Sequence, residues 1–324
     1  MPQYFSDIYG YEPSLVAAVV FAGIFGALSL LHTYQAARSK TWFFIAFVIG
    51  GYFEFFCYVV RAVSIQQAPD YTLIPFAASL ALILIAPGLF AASIYMFLGR
   101  IVRLIQADHH SIIRLTWLTK ILIVGDVISF VVQGVGAVIV TQQTADAFKL
   151  GSNVIIIGLA VQLAFFGLFV STAVLFHWRT NQQPTDRSRN PAIPWKQHLR
   201  ILYAASAIIM VRCFYRFIEY KTQGSSGGGY LVSHEWSAFV FDAALMVLVM
   251  VIFFVRHPSE INALRPARGG IAMNYVIGHP VERVNDRWRT LPPPSLNSSK
   301  MMYESGNKMA RMSVHPPRAV ILRR

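Results

Sequence analysis

Seven long apolar runs, at residues 15–31, 42–63, 73–98, 118–140, 154–176, 201–220 and 237–255, constrain this 324-residue chain more than any other feature. At about 1.5 Å of helical rise per residue, each is long enough to cross a hydrocarbon core of about 30 Å. Lipid offers no partner for backbone N–H and C=O groups, so an open chain crosses it only as helix. The expected fold is an all-α integral membrane protein, a seven-transmembrane helix bundle. Composition agrees, with 55% hydrophobic and 13% charged residues, and the loops are too short to bury a separate soluble core.

A net charge of +13 invites a nucleic-acid partner, but the placement of the basic residues excludes it. Arg38 and Lys40 follow the first run. Arg100, Arg103, Arg114 and Lys120 separate the third from the fourth, and Arg179, Arg187, Arg189, Lys196 and Arg200 the fifth from the sixth. Many more fill the tail. The alternate loops hold only Arg61, Lys149 and Lys221, while segment 1–13 has Asp7 and Glu12 and no basic residue. The positive-inside rule then puts the N-terminus outside and the C-terminus in the cytosol.

Three regions follow: 1–13 an extracellular N-terminus, 14–256 the seven-span domain, and 257–324 a basic cytosolic tail. The tail is rich in Pro, Arg, Asn and Ser and is expected to be disordered, grazing the anionic inner leaflet. Its Asn297-Ser298-Ser299 sequon would go unused on the cytosolic side. No basic segment precedes the first run, so no cleavable signal peptide is expected. The glycine-rich stretch 224–229 reads as a flexible connector. Trp42, Trp195 and Trp236 suit an interfacial belt, and Pro87 should bend the third span, making it a hinge candidate. Cys57 and Cys213 lie within spans, so no disulfide framework is expected.

Charges inside the spans carry the functional signal. Glu54 and Arg61 are spaced by one heptad, as are Asp126 and Gln133, and Glu235 and Asp242; Arg212, Arg216 and Glu219 follow at helical spacing. Each set should line one helix face. Such residues are costly against lipid and belong in a protein interior or a watery cavity. With the N-terminus outside, most of this charge gathers in the outer half of the bundle, and Asp126 alone falls in the inner half. Interhelical pairing is the plain structural reading. Five acids (Glu54, Asp126, Glu219, Glu235, Asp242) face three bases (Arg61, Arg212, Arg216), so two acids are left without a fixed counter-charge. An uncompensated buried carboxyl holds a proton or waits for a cation. All nine polar residues are therefore substrate-pathway candidates, with Asp126, Glu54 and Asp242 first for headgroup or proton contacts.

No catalytic residue, metal or cofactor is expected. His32, His177 and His257 end spans on one side, which invites a zinc site, but each occupies a helix C-terminal end where the dipole favours histidine. Asp108, His109 and His110 read as a solvated loop. No serine nucleophile is expected, and no Gly-x-x-x-x-Gly-Lys-Ser/Thr phosphate-binding loop occurs.

Three segments resemble the RTA-like fungal lipid-translocating exporter family. The first runs from Leu82 to Met96 through Pro87-Gly88 and continues to Gly99-Arg100; the second runs from Gly125 to Gly134. The third holds Arg212, Arg216, Glu219 and Tyr220, then Gly229-Tyr230-Leu231, Ser233-His234-Glu235-Trp236 and Phe241-Asp242. The resemblance covers residues 10–260. It implies a seven-span fungal membrane protein whose relatives are linked to sphingoid long-chain base translocation or release, resistance to toxic sterols, and porphyrin uptake. The expected function is translocation or export of such an amphiphile, including amine-bearing ones, across the plasma membrane, conferring stress or drug resistance. The partners are membrane lipids and the amphiphile, and the protein is no enzyme. The alternative is a seven-transmembrane receptor or stress sensor signalling through its tail.

Overall fold

The computed structural model describes residues 13–67, 73–107, 115–140, 142, 144–190, 193–223 and 234–263. The readings made for 1–12, 108–110, 224–229 and the tail from 264 lie outside the described residues. Seven helices are long and apolar enough to cross a membrane. They are α1 (Leu15–Ser39), α2 (Ile45–Gln66, entered through a 3₁₀ turn at Trp42–Phe44), α3 (Leu73–Leu104), α4 (Leu115–Val140), α5 (Ala145–Gln182), α6 (Trp195–Gln223) and α7 (residues 235–255).

Several helices outrun their apolar runs, because hydropathy marks the lipid-facing part and backbone propensity continues past it. α1 passes through polar residues to Ser39 and stops at Lys40, whose left-handed backbone (φ 51°) returns its N–H to Ala36 and Ala37. His32 therefore lies inside α1 rather than at its end. α5 starts nine residues before its apolar run, with Thr144 accepting from the Ala147 N–H and Asp146 in the first turn. α6 starts at Trp195, and this tryptophan corrects the belt expectation. Its ring is buried, with Nε1 donating to the Ser188 carbonyl at 3.0 Å, whereas Trp42 and Trp236 are exposed. The short helix Asp186–Arg189 supplies that carbonyl. Residues 257–263, placed in the tail by the sequence, carry a helix at Ser259–Ala263 whose Ile261 is fully buried. His198 Nε2 lies 3.2 Å from Glu260 Oε2 at this join.

α4 shows how the bundle is turned. Val124, Val127, Val131, Val135 and Val138 are exposed along one face, while Asp126, Ser129 and Gln133 are buried on the other. Apolar side out and polar side in is the arrangement lipid requires. α4 and α5 approach closely at Gly136 and Gly151, where a Cβ on either glycine would stand 2.7 Å from the other's carbonyl oxygen. Gly151→Leu is therefore expected to cost about 1–3 kcal/mol by overpacking, read as a lower thermal midpoint in detergent; Gly151→Ala should do the same to a smaller degree.

α1 and α7 run parallel. Ser14 N, at the cap of α1, donates to Glu235 Oε2 at 2.8 Å, and His32 Nε2 and Gln35 Nε2 donate to the carbonyls of Met250 (3.0 Å) and Phe254 (3.2 Å). An aromatic cluster of Phe44, Phe47, Phe90 and Phe253 joins α2, α3 and α7, with centroids 4.4 Å apart for Phe44–Phe47 and 4.6 Å for Phe47–Phe90.

Candidate functional site

The intramembrane charges meet where α2, α6 and α7 come together. At one end, Arg61 Nη2 donates to Glu235 Oε1 at 3.0 Å, and its guanidinium lies 5.8 Å from the Phe239 ring centroid. Deeper, Asp242 receives both Arg212 and Arg216, one through each carboxylate oxygen. Arg216 also donates to Glu219 Oε2 at 2.8 Å, and Tyr215 donates to Glu219 Oε1 at 3.2 Å while lying 3.1 Å from Ser237 Oγ. Asp242 is 1% exposed, Arg212 2% and Arg216 6%, so this triad is withdrawn from both lipid and water.

Local structure explains how Asp242 reaches two arginines. Residues Phe239–Ala244 form a π-helical turn inside α7. The wider turn carries Asp242 off the line of Glu235, so the two acids address different helices: Glu235 meets α2 and Asp242 meets α6. A single polar stripe on α7, expected from the heptad spacing, is not what forms. The π turn leaves no mark in the spacing, because an apolar run reads alike in either helical form.

Pro87 acts through its missing N–H. α3 is helical on both sides of it, and the bond lost is the one that residue 87 would have given to the Ile83 carbonyl. Arg212 Nη2 donates to that carbonyl at 2.7 Å. Beside it, Gly88 leaves a notch filled by Phe130 of α4, whose Cζ would stand 1.8 Å from a Cβ at that position. The proline break is thus filled by a ring on one flank and a guanidinium on the other. Arg212 joins the break to Asp242.

Two of the five acids singled out inside the spans enter no ion pair among the described residues. Glu54 is 1% exposed, faces Asp242, Arg212 and Arg216 within electrostatic range, and has Oε1 buried without a hydrogen-bond partner. Its flank is aromatic: Phe25 stacks on Tyr58 at 5.5 Å, and Phe21 stacks on Phe239 at 5.1 Å. Asp126 stands apart, beside Tyr95 of α3 and Cys213 of α6. Gln133 turns to α5, where its Nε2 donates to Gln162 Oε1 at 3.1 Å. Asp126 and Gln133 therefore meet different neighbours, and neither joins the arginine cluster.

Sequence reasoning passed over Tyr95, Gln162, Tyr215 and Ser237. An amide, phenol or hydroxyl inside an apolar run was the available signal for each. The Ile83 carbonyl had none beyond the proline four residues on. Among the histidines, His32 and His257 both pack on Phe44, while His177 packs on Trp195 and Tyr203 elsewhere.

A family model described as RTA1 like protein matches residues 47–264. Protein RTA1 of Saccharomyces cerevisiae is 30% identical over 285 residues, covering 80% of this chain and 87% of that protein. Protoporphyrin uptake protein 1 of the same yeast is 30% identical over 286 residues, covering 76% and 91%. Sphingoid long-chain base transporter RSB1, from another strain of Saccharomyces cerevisiae, is 26% identical over 285 residues, covering 77% and 73%. No solved structure matches.

Proposed function

Because the chain belongs to the RTA1-like family, we propose that it moves a single-chain amphiphile, of the sphingoid long-chain base type, between the leaflets of the plasma membrane. The N-terminus faces outside and the tail faces the cytosol in this reading. No catalytic step is involved. The relatives supply the class, since one is named for sphingoid base transport and another for porphyrin uptake.

One observation carries the reading. Glu54 is a buried carboxyl with an unpartnered oxygen, set between guanidinium-clamped Asp242 and the aromatic wall of Tyr58 and Phe239. A protonated amine would complete the electrostatics at Glu54. Asp242 needs nothing more, because Arg212 and Arg216 already compensate it. Arg61 and Glu235 form the rim at the end of the bundle.

The test is transbilayer movement of a fluorescent sphingoid base in liposomes holding the purified protein. Movement faster than in protein-free vesicles is expected; equal rates, with folding and orientation verified, overturn the proposal. Glu54→Gln should lower the rate at least tenfold while leaving the folded yield unchanged or higher, because it removes an uncompensated acid from beside Asp242. Removing residues 264–324 should leave the rate intact. A loss of resistance in cells with unaltered flux in vesicles would instead mark a sensor working through the tail.

A further inference from the structure

We propose that Asp126 and Tyr95 form an exchangeable proton-binding site, separate from the arginine cluster and independent of what the protein carries. Three oxygens carry the inference. Both carboxylate oxygens of Asp126 and the Tyr95 hydroxyl are buried, and none has a hydrogen-bond partner of good geometry; the one polar interaction the two side chains make is with each other. Asp126 is 3% exposed and Tyr95 2%, and each is the other's polar neighbour across the α3–α4 contact. A carboxyl and a phenol from two helices, facing each other with no further polar partner among the described residues, can share one exchangeable proton.

The surroundings define that ligand. Among the described residues, the titratable group facing Asp126 from α6 is the thiol of Cys213, and from α3 it is Tyr95. Among the described residues no guanidinium or ammonium balances the carboxylate, in contrast to Glu219, Glu235 and Asp242. From α5 the Phe165 ring packs against neighbouring Gly125, standing 2.5 Å from where a Cβ on that glycine would be. Hard metal cations ask for six or more oxygen ligands, and three are on offer. A proton meets every condition. Bound to one carboxylate oxygen, it makes an O–H that donates to Tyr95, whose own O–H stays free to turn; released, it restores the carboxylate. No other bond changes.

Position gives the site its interest. Cys213 lies within electrostatic range of both Asp126 and Asp242, and it follows Arg212 directly in α6. A charge appearing at Asp126 is therefore sensed one residue from the guanidinium that holds the Pro87 break.

Infrared difference spectroscopy on the full chain in lipid nanodiscs tests the proposal. Glu54→Gln serves as the background, so that the other unpaired carboxyl does not contribute. A protonated-carboxyl C=O band is expected at neutral pH. It should shift in D₂O, vanish in Asp126→Asn and move in Tyr95→Phe. Spectra of Asp126→Asn identical to the background overturn the proposal. So does a band erased when sodium or calcium replaces potassium, which would identify a metal-cation site. Should Asp126→Asn fail to fold, Tyr95→Phe decides: a displaced band supports the site, and an unmoved one overturns it.

Discussion

Asp242→Asn should be among the most damaging single substitutions in the bundle, costing about 3–5 kcal/mol because it leaves two buried guanidiniums without their shared anion. Stability of a domain is about 5–15 kcal/mol in total, so the loss should appear as a sharp fall in thermal midpoint and in monodisperse yield after extraction. Asparagine keeps the size and one acceptor oxygen, and the loss is therefore one of charge rather than of packing. Glu54 is the adjacent acid within range of both arginines and would partly take over. Glu54→Gln, although it slows movement, should then favour stability in the wild-type background but cost stability beside Asp242→Asn. That reversal of sign is the signature of a shared arginine pair. Glu235→Gln makes the contrast: its Arg61 partner sits at the bundle end, and the side chains are 14% and 13% exposed, so the cost should be far smaller. Equal losses for Asp242→Asn and Glu235→Gln would show that depth in the bundle does not set the energetics.

The seven helices were legible because lipid imposes a length and a composition that few other folds share. Their ends were not. Past the hydrocarbon boundary, helix propensity and caps such as Thr144 and Lys40 decide where a helix stops, and hydropathy is blind to both. The charges were legible as a set, and counting five acids against three bases leaves two over. Which two could not be counted. Heptad spacing placed Asp242 on the stripe of Glu235, whereas the π turn at Phe239–Ala244 delivers it to two arginines at once. The same spacing joined Asp126 to Gln133, although one faces Tyr95 and the other Gln162. Spacing reports which residues share a face of one helix; it carries nothing about which neighbour that face meets.

Pro87 and Arg212 should behave as one unit, and a double-mutant cycle exposes it. Pro87→Ala returns an N–H to the Ile83 carbonyl, so the acceptor that Arg212 serves at 2.7 Å acquires a helical partner. Arg212→Met removes two things, the bond to that carbonyl and one of the two ion pairs to Asp242. Only the first depends on residue 87. The cost of Arg212→Met should therefore be smaller in the Pro87→Ala background than in wild type, by about 1.5–3 kcal/mol, the range for hydrogen bonds to charged groups. The loss of the Asp242 pair should be the same in both. Flux offers a second readout. Pro87→Ala closes the backbone break and releases one of the two contacts that fix Arg212, so it should slow transbilayer movement while raising the thermal midpoint. A cycle that is additive within about 0.3–0.5 kcal/mol would mean that the carbonyl and the guanidinium are neighbours without energetic coupling. In that case the break in α3 and the cluster on α6 and α7 would have to move independently, and the role of Arg212 would be confined to its ion pair with Asp242, beside that of Arg216.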